Sequence, residues 1–348
     1  MKTRTLKFIS LAFGVVFLTS CSEILYTSVD VLRPAKIAFA PNAHNLLIVN
    51  NSVTQPSEYG HRTELVNQKT KNIRIETDSL PIFAINSLKE EIDAKGFFRN
   101  IQLLQNSINT SKLFAAVNPL DADSVTKLCT QYNADVILSL DRIKINDDLS
   151  EYYSSDKNSF LAVLEARFES SWSVHYPHGT ELTQLNFKDT VYWEAESYNR
   201  RKAMSDLPKR TDALVDGALN VGKKTVDRLI PYWDKEDRYL FSYPNRYLKK
   251  GIDSVYVRNW KSAIDSWQKA LDTSKNSMTL AYACNNMAVA YEISGDINKA
   301  LEYATQSYYN LGKSYFSEYS TFIRISNYIE NLNKRKDEID KLKKQLGE

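Results

Sequence analysis

The sequence predicts an α/β or α+β N-terminal domain with a mixed sheet, followed by an all-α C-terminal domain. Three observations carry this. Between residues 33 and 243, short β-branched runs alternate with amphipathic stretches of helical period. From residue 244 onward the apolar period is helical throughout, with small residues where helices would cross. Composition agrees, because 43% of the 348 residues are apolar and only 10 are glycine and 9 proline, enough for two ordered cores.

The first residues set the compartment. Lys2, Arg4 and Lys7 precede an apolar stretch from Phe8 to Leu18, interrupted only by Ser10 and Gly14. This run is shorter than the roughly 20 apolar residues of a membrane-spanning helix and reads as the hydrophobic region of a signal peptide. Leu18-Thr19-Ser20-Cys21 follows and resembles the bacterial lipobox. The resemblance implies a signal peptide over 1–20, lipidation of Cys21, and a short lipidated tether over 21–32. An ordinary secretory signal that carries a cysteine, or an uncleaved anchor, is the alternative. Several acyl chains on one residue, at about 0.8 kcal/mol per buried methylene, hold a protein on a membrane without spanning it. Removing Lys2, Arg4 and Lys7 from the 45 basic residues balances the 42 acidic ones, so the apparent basicity gives no support to nucleic-acid binding.

Next, 35–40 (AKIAFA) and 45–53 (NLLIVNNSV) read as strands bounded by Pro34, Pro41 and Asn50-Asn51-Ser52. Residues 81–96 place Ile82, Ile85, Leu88 and Ile92 on one helical face, with Pro81 at the start and Gly96 past the end. Residues 101–107 are a candidate strand. A second helix over 121–133 buries Val125, Leu128, Cys129 and Tyr132, and runs into a strand over 134–146. A hairpin over 160–176 and 181–195 follows, turning at Pro177-His178-Gly179, with Ala162, Leu164, Ala166, Phe168, Trp172 and Val174 on one face. Residues 206–233 form a long helix in which Gly217 and Gly222 mark close approach to the sheet. The order β-β-α-β-α-β-β-β-α gives one sheet covered mainly on one side.

The helical half over 244–313 resembles two tetratricopeptide repeats. Ala288, Tyr291, Gly295-Asp296 and Ala300 match the pattern in the second unit, and Gly251, Asn259-Trp260, Ala263, Trp267 and Ala270 in the first. Ser254, Ala304 and Ser307 depart from it. The resemblance implies a partner-binding first-helix face, here Tyr282, Asn285, Val289 and Glu292, with docking of that face against the front domain as the equal alternative. Two units fall short of the three or so a free-standing solenoid needs. A capping helix over 314–348, with Ile325, Tyr328, Leu332, Ile339, Leu342 and Leu346 on its stripe and Arg335 breaking the series, is expected to cover them, with a coiled-coil seam for another chain as the alternative reading of the same stripe.

Signs of chemistry are few. His175 and His178 flank a turn without a second ligand pair, His44 and His61 fall in polar loops, and Asp147-Asp148 and Glu90-Glu91 read as solvated charges. No nucleophile elbow, zinc helix or phosphate loop motif occurs. The reading therefore assigns no catalytic residue, no metal and no cofactor. Cys129 and Cys284 read as buried small hydrophobes, with a disulfide between them left open.

Across nearly its full length the chain is similar to uncharacterised cell-envelope lipoproteins of Bacteroidota, through Arg33-Pro34-Ala35, Val49-Asn50, the strand at 134–141 and the repeat pair. Its front domain also distantly resembles that of curli-secretion lipoproteins. These resemblances imply a non-enzymatic, lipid-anchored scaffold or adaptor for other envelope proteins. They place it at the outer membrane, facing the periplasm because only Glu23 follows Cys21 where surface-exported lipoproteins carry an acidic cluster. A glycan-binding lipoprotein of a nutrient-uptake system, motivated by 21 tyrosines and 5 tryptophans, is the rival. A secretion accessory lipoprotein is a further variant, and a hydrolase has only the compartment in its favour.

Overall fold

The computed structural model describes residues 24–111, 113–177, 182–314 and 318–347. Cys21, the expected signal peptide over 1–20 and His178-Gly179 of the expected turn lie outside the described residues. In chain order the strands are β1 (Ile24–Arg33), β2 (Asn45–Asn50), β3 (His61–Glu64), β4 (Lys71–Asn72), β5 (Asn100–Leu104), β6 (Val136–Ser154), β7 (Ser159–His175), β8 (Leu182–Ser197) and β9 (Tyr232–Phe241). The helices are α1 (Leu80–Lys95), α2 (Ala122–Tyr132), α3 (Arg200–Ser205), α4 (Arg210–Leu229), α5 (Arg246–Tyr256), α6 (Trp260–Thr273), α7 (Ser277–Ile293), α8 (Ile297–Gly312) and α9 (Tyr319–Leu346).

The chain divides into two units, Leu32–Trp233 with Glu338–Glu348, and Met1–Val31 with Asp234–Asp337. The first is an α/β unit on a mixed sheet. Strands β5, β2 and β6 run parallel, β3 runs parallel to the far half of β6 and antiparallel to β4, and β6, β7 and β8 form an antiparallel meander. α1 and α4 cover one face through Ile85, Leu88, Leu214 and Val221 against Leu46, Ile48, Leu138 and Phe168. α2 covers the other face of the parallel strands, packing Val125 and Cys129 on Leu47, Val49 and Ile137. Those strands are thus apolar on both faces, which explains their unbroken hydrophobic runs. Between Leu140 and Arg142 the register of β6 shifts, so the buried set moves from Val136, Leu138 and Leu140 to Ile143 and Ile145.

Two sequence expectations fail in the α/β unit. Residues 35–40 form no strand. Their backbone is instead satisfied by the Gln345 side chain at Ala35, which donates to its carbonyl and accepts from its N–H at 2.9 Å each, by the Arg228 carbonyl at Ile37 (2.9 Å) and by the Tyr176 hydroxyl at Ala40 (2.8 Å). Gln345 and Glu338, which pairs with Arg33 at 2.7 Å, both come from the end of α9, so that end belongs to this unit. Gly217 faces the ring of Phe168 on β7 as expected, but Gly222 lies against the backbone of α1 at Ala84 and Leu88 and not against the sheet.

The second unit is helical around a two-stranded ribbon. The expected tether over 21–32 is, from Ile24, the strand β1 paired with β9. The hairpins α5–α6 and α7–α8 each carry an asparagine or aspartate cap at the second helix, Asn259 accepting from the Ser262 N–H and Asp296 from the Lys299 N–H at 3.0 Å. Gly251 sits against Trp267, and Ala263, Ala288, Ala300 and Ala304 are fully buried where helices meet. No helix among the described residues is long and apolar enough to cross a membrane.

Candidate partner-binding site

The spacing of Tyr282, Asn285, Val289 and Glu292 puts them on one face of α7, and the structure does keep them together. That face is not an open groove: all four side chains are buried, Val289 completely. β9 lies along it. The Tyr282 ring stacks on Phe241 with centroids 4.0 Å apart and planes 6° from parallel. Asn285 Nδ2 donates to the Tyr239 carbonyl at 2.7 Å. Asn286 donates to the Phe241 carbonyl at 2.8 Å and accepts from its N–H at 2.9 Å, completing the strand's backbone bonding as a neighbouring strand would.

Glu292 ends this face in a charge network. Arg238 of β9 reaches it through Nε at 2.8 Å and Nη2 at 2.9 Å, Arg335 of α9 through Nη1 at 2.6 Å, and the Tyr328 hydroxyl at 2.9 Å. Arg335, the residue that breaks the apolar series of α9, is therefore there to meet a buried carboxylate. Burial alone would push the Glu292 carboxyl up, but the Arg238 guanidinium, the Tyr328 hydroxyl and Arg335 outweigh it and hold it below the usual range. Tyr328 is pushed well above its ordinary value by burial and by the facing Glu292 charge.

Beside this face lies a cavity of about 240 Å³ lined by residues that include Asn285, Arg238, Tyr239, Arg324, Asn327 and Asn331. The Arg324 guanidinium sits 5.2 Å from the centre of the Tyr239 ring, a cation–π geometry. The sequence reading named neither Arg324 nor Tyr239. An arginine within the otherwise uncharged start of α9 was the available signal.

Two buried polar clusters in the α/β unit also went unread. His61 and Asp147, expected in a polar loop and at a solvated surface, are both interior. His61 Nδ1 meets Asp147, which also accepts from Arg210 Nε, and His61 Nε2 has no hydrogen-bond partner among the described residues. The reason is register, since β3 pairs with β6 so that His61 lies opposite Asp147 under α4. On the other face of β6, Asp141 accepts from Asn51 Nδ2 at 2.9 Å, Ser139 Oγ at 2.7 Å and Ser173 Oγ, and Ser139 Oγ lies 3.0 Å from His175 Nε2. Burial lowers the His175 pKa to about 4, and burial raises that of Asp141 against its three hydrogen-bond donors. With Asp141 ionised, Ser139 donates to it and His175 donates to Ser139, the reverse of the direction in which a histidine base activates a serine. Cys129 and Cys284 are both free and buried. Among the described residues no three His, Cys, Asp or Glu side chains are grouped for a metal.

The sheet's outer strand offers a different surface. β8 is 16 residues long and pairs only with β7, leaving its other edge open among the described residues. Its residues alternate strictly from Leu185 to Ser197, with Asn186, Lys188, Thr190, Tyr192, Glu194 and Glu196 on the face away from α4. Tyr192 is 64% exposed.

Comparison with known proteins bears on the family alone. No curated protein matches the chain. Among solved structures it is similar to an uncharacterized protein, at 8% identity and a TM-score of 0.24 over 56% of this chain and 97% of that one. It is also similar to a putative neuraminyllactose-binding hemagglutinin homolog from Helicobacter pylori, at 10% identity and a TM-score of 0.26 over 55% of this chain and 83% of that one. Residues 249–334 match a domain of unknown function (DUF6340). Residues 43–241, more than half of the chain, match another, and the chain belongs to that family, Domain of unknown function (DUF8603).

Proposed function

We propose that this protein is a non-enzymatic, lipid-anchored scaffold of the cell envelope that holds another protein at the membrane. Cys21 carries the lipid, and the protein sits at the outer membrane on its periplasmic side. The helical hairpins are tetratricopeptide-like units whose first-helix face already holds an extended segment, the chain's own β9. A partner must then use another surface, and the observation that carries the reading is the open edge of β8. A long unpaired edge presents a row of backbone N–H and C=O groups, the template on which extended segments of partners add as a further strand. The polar, charged face beside that edge keeps it from pairing indiscriminately, while Tyr192 supplies an aromatic anchor of the kind enriched at interfaces.

The test is site-specific photocrosslinking in intact membranes, with a benzophenone amino acid in place of Tyr192. A discrete protein adduct is expected. If no protein adduct forms and the purified protein instead saturates with an oligosaccharide, the scaffold reading gives way to the glycan-binding one.

A further inference from the structure

We propose that the corner of the helical unit formed by Tyr26, Tyr239 and Arg324 binds the phosphate of a membrane-lipid headgroup. This rests on the reading of Cys21 as the acylated residue. Only Ser22 and Glu23 separate Cys21 from Ile24, where β1 begins. An extended chain advances at most about 3.6 Å per residue, which puts Ile24 within roughly 11 Å of an acylated Cys21 and Tyr26 within roughly 18 Å. The headgroup layer itself is about 5–7 Å thick on each side of the hydrocarbon core. The corner around Tyr26 is therefore tethered close enough to the acylated residue to reach the headgroups.

What surrounds it is suited to that place. The Tyr26 ring, 58% exposed, packs on Tyr239 with centroids 5.0 Å apart, and the Arg324 guanidinium lies over the same Tyr239 ring. The other arginines of this neighbourhood are neutralised, Arg238 by Glu292 and Glu236, and Arg335 by Glu292. Arg324 has no carboxylate partner among the described residues. Asp237 lines the same cavity on Tyr239's face of β9, but it is exposed and forms no ion pair with Arg324 among the described residues. A guanidinium presents five N–H donors in a fork that matches phosphate oxygens. Asn327 and Asn331, three and seven residues on along α9, line the same cavity with amide donors. Ile323, the residue before Arg324 in α9, is itself exposed and adds an apolar side chain of the kind that suits the membrane–water boundary.

The experiment uses the full acylated chain with Ile323→Cys carrying an environment-sensitive fluorophore. Cys129 and Cys284 are buried, and burial pushes the Cys284 thiol up to about 12, so neither competes for the label. The protein is reconstituted into phosphatidylethanolamine–phosphatidylglycerol vesicles bearing headgroup nitroxides, and metabolic fatty-acid label at Cys21 is measured on the same sample. Quenching of the fluorophore is expected. With the chain held on the vesicle by its acyl groups, Arg324→Gln should lower the equilibrium constant for docking of this corner on the headgroups about fivefold, the equivalent of ~1 kcal/mol for one arginine at an anionic surface, read as weaker quenching, and Arg324→Lys by less. An acylated protein whose probe is unquenched, or is quenched equally in Arg324→Gln, overturns the phosphate site and leaves the anchor standing. Absence of fatty-acid label at Cys21 overturns the anchor, and the site with it.

Discussion

At the scale of single residues, this protein places charge in its interior and neutralises it locally. Glu292 is the clearest case, since two guanidiniums and a phenol converge on one buried carboxylate. Removing one partner of such a group leaves the others buried and unpaired, which costs far more than the pair contributes. Glu292→Gln should therefore destabilise the helical unit by about 3–5 kcal/mol, read as a lower urea midpoint with unchanged slope. Because the Glu292 carboxyl is held below its unfolded value, its contribution is complete above that value and is lost as pH falls through the lower folded one. His175 adds acid sensitivity in the α/β unit at higher pH. Its folded pKa, about 4, lies below the ordinary 6.5, so the unfolded chain binds the extra proton and stability declines as pH drops from 6.5 towards 4. Asp141, with a raised carboxyl, acts in the opposite sense. Amide exchange in β6 and β7 should accelerate across this window and accelerate less in His175→Gln. An unchanged slope in that variant would assign the effect elsewhere.

At the scale of elements, close packing decides which glycines are required. A Cβ at Gly217 would overlap the edge of the Phe168 ring at Cζ and Cε2, whereas one at Gly312, the last residue of α8, meets nothing within 4 Å. Gly217→Ala should cost about 1–3 kcal/mol through displacement of α4 from β7. Gly312→Ala should be neutral or stabilise by about 0.4–1 kcal/mol through the unfolded chain. Thermal unfolding of the two variants separates these outcomes directly. The same scale explains which elements could be read in advance. α1, α2, α4 and the β7–β8 pair announce themselves through local period and caps, such as Pro81 at the start of α1 and Gly96 in the left-handed conformation after it. The segment 35–40 has the composition of a strand but no neighbour to pair with, and β1 has a neighbour nearly 200 positions away in the sequence. Pairing is a tertiary event that β-propensity alone does not encode.

At the scale of the whole molecule, the proposed anchor and the open edge of β8 define two ways of meeting the envelope, one to lipid and one to protein. Acylation is tested by the partition of the protein itself. Cys21→Ala should abolish fatty-acid labelling and shift the protein out of the acylated membrane pool, whereas equal labelling in the two forms would show that the lipobox reading is wrong. Neither outcome depends on Tyr192, so anchor and partner surface can fail separately.

The sequence alone determined the two-part architecture, the helical and strand character of most segments, and the helical stripe of Tyr282, Asn285, Val289 and Glu292. These follow from period, capping and composition within a dozen or so residues, where side-chain direction is fixed by local geometry. Only the tertiary structure decided that this stripe is covered by β9, that Arg335 and Arg238 converge on Glu292, that His61 meets Asp147 inside the sheet, and that Arg324 meets no carboxylate among the described residues. Each joins residues dozens of positions apart or more, and burial or exposure of a charge depends on what the folded chain brings against it.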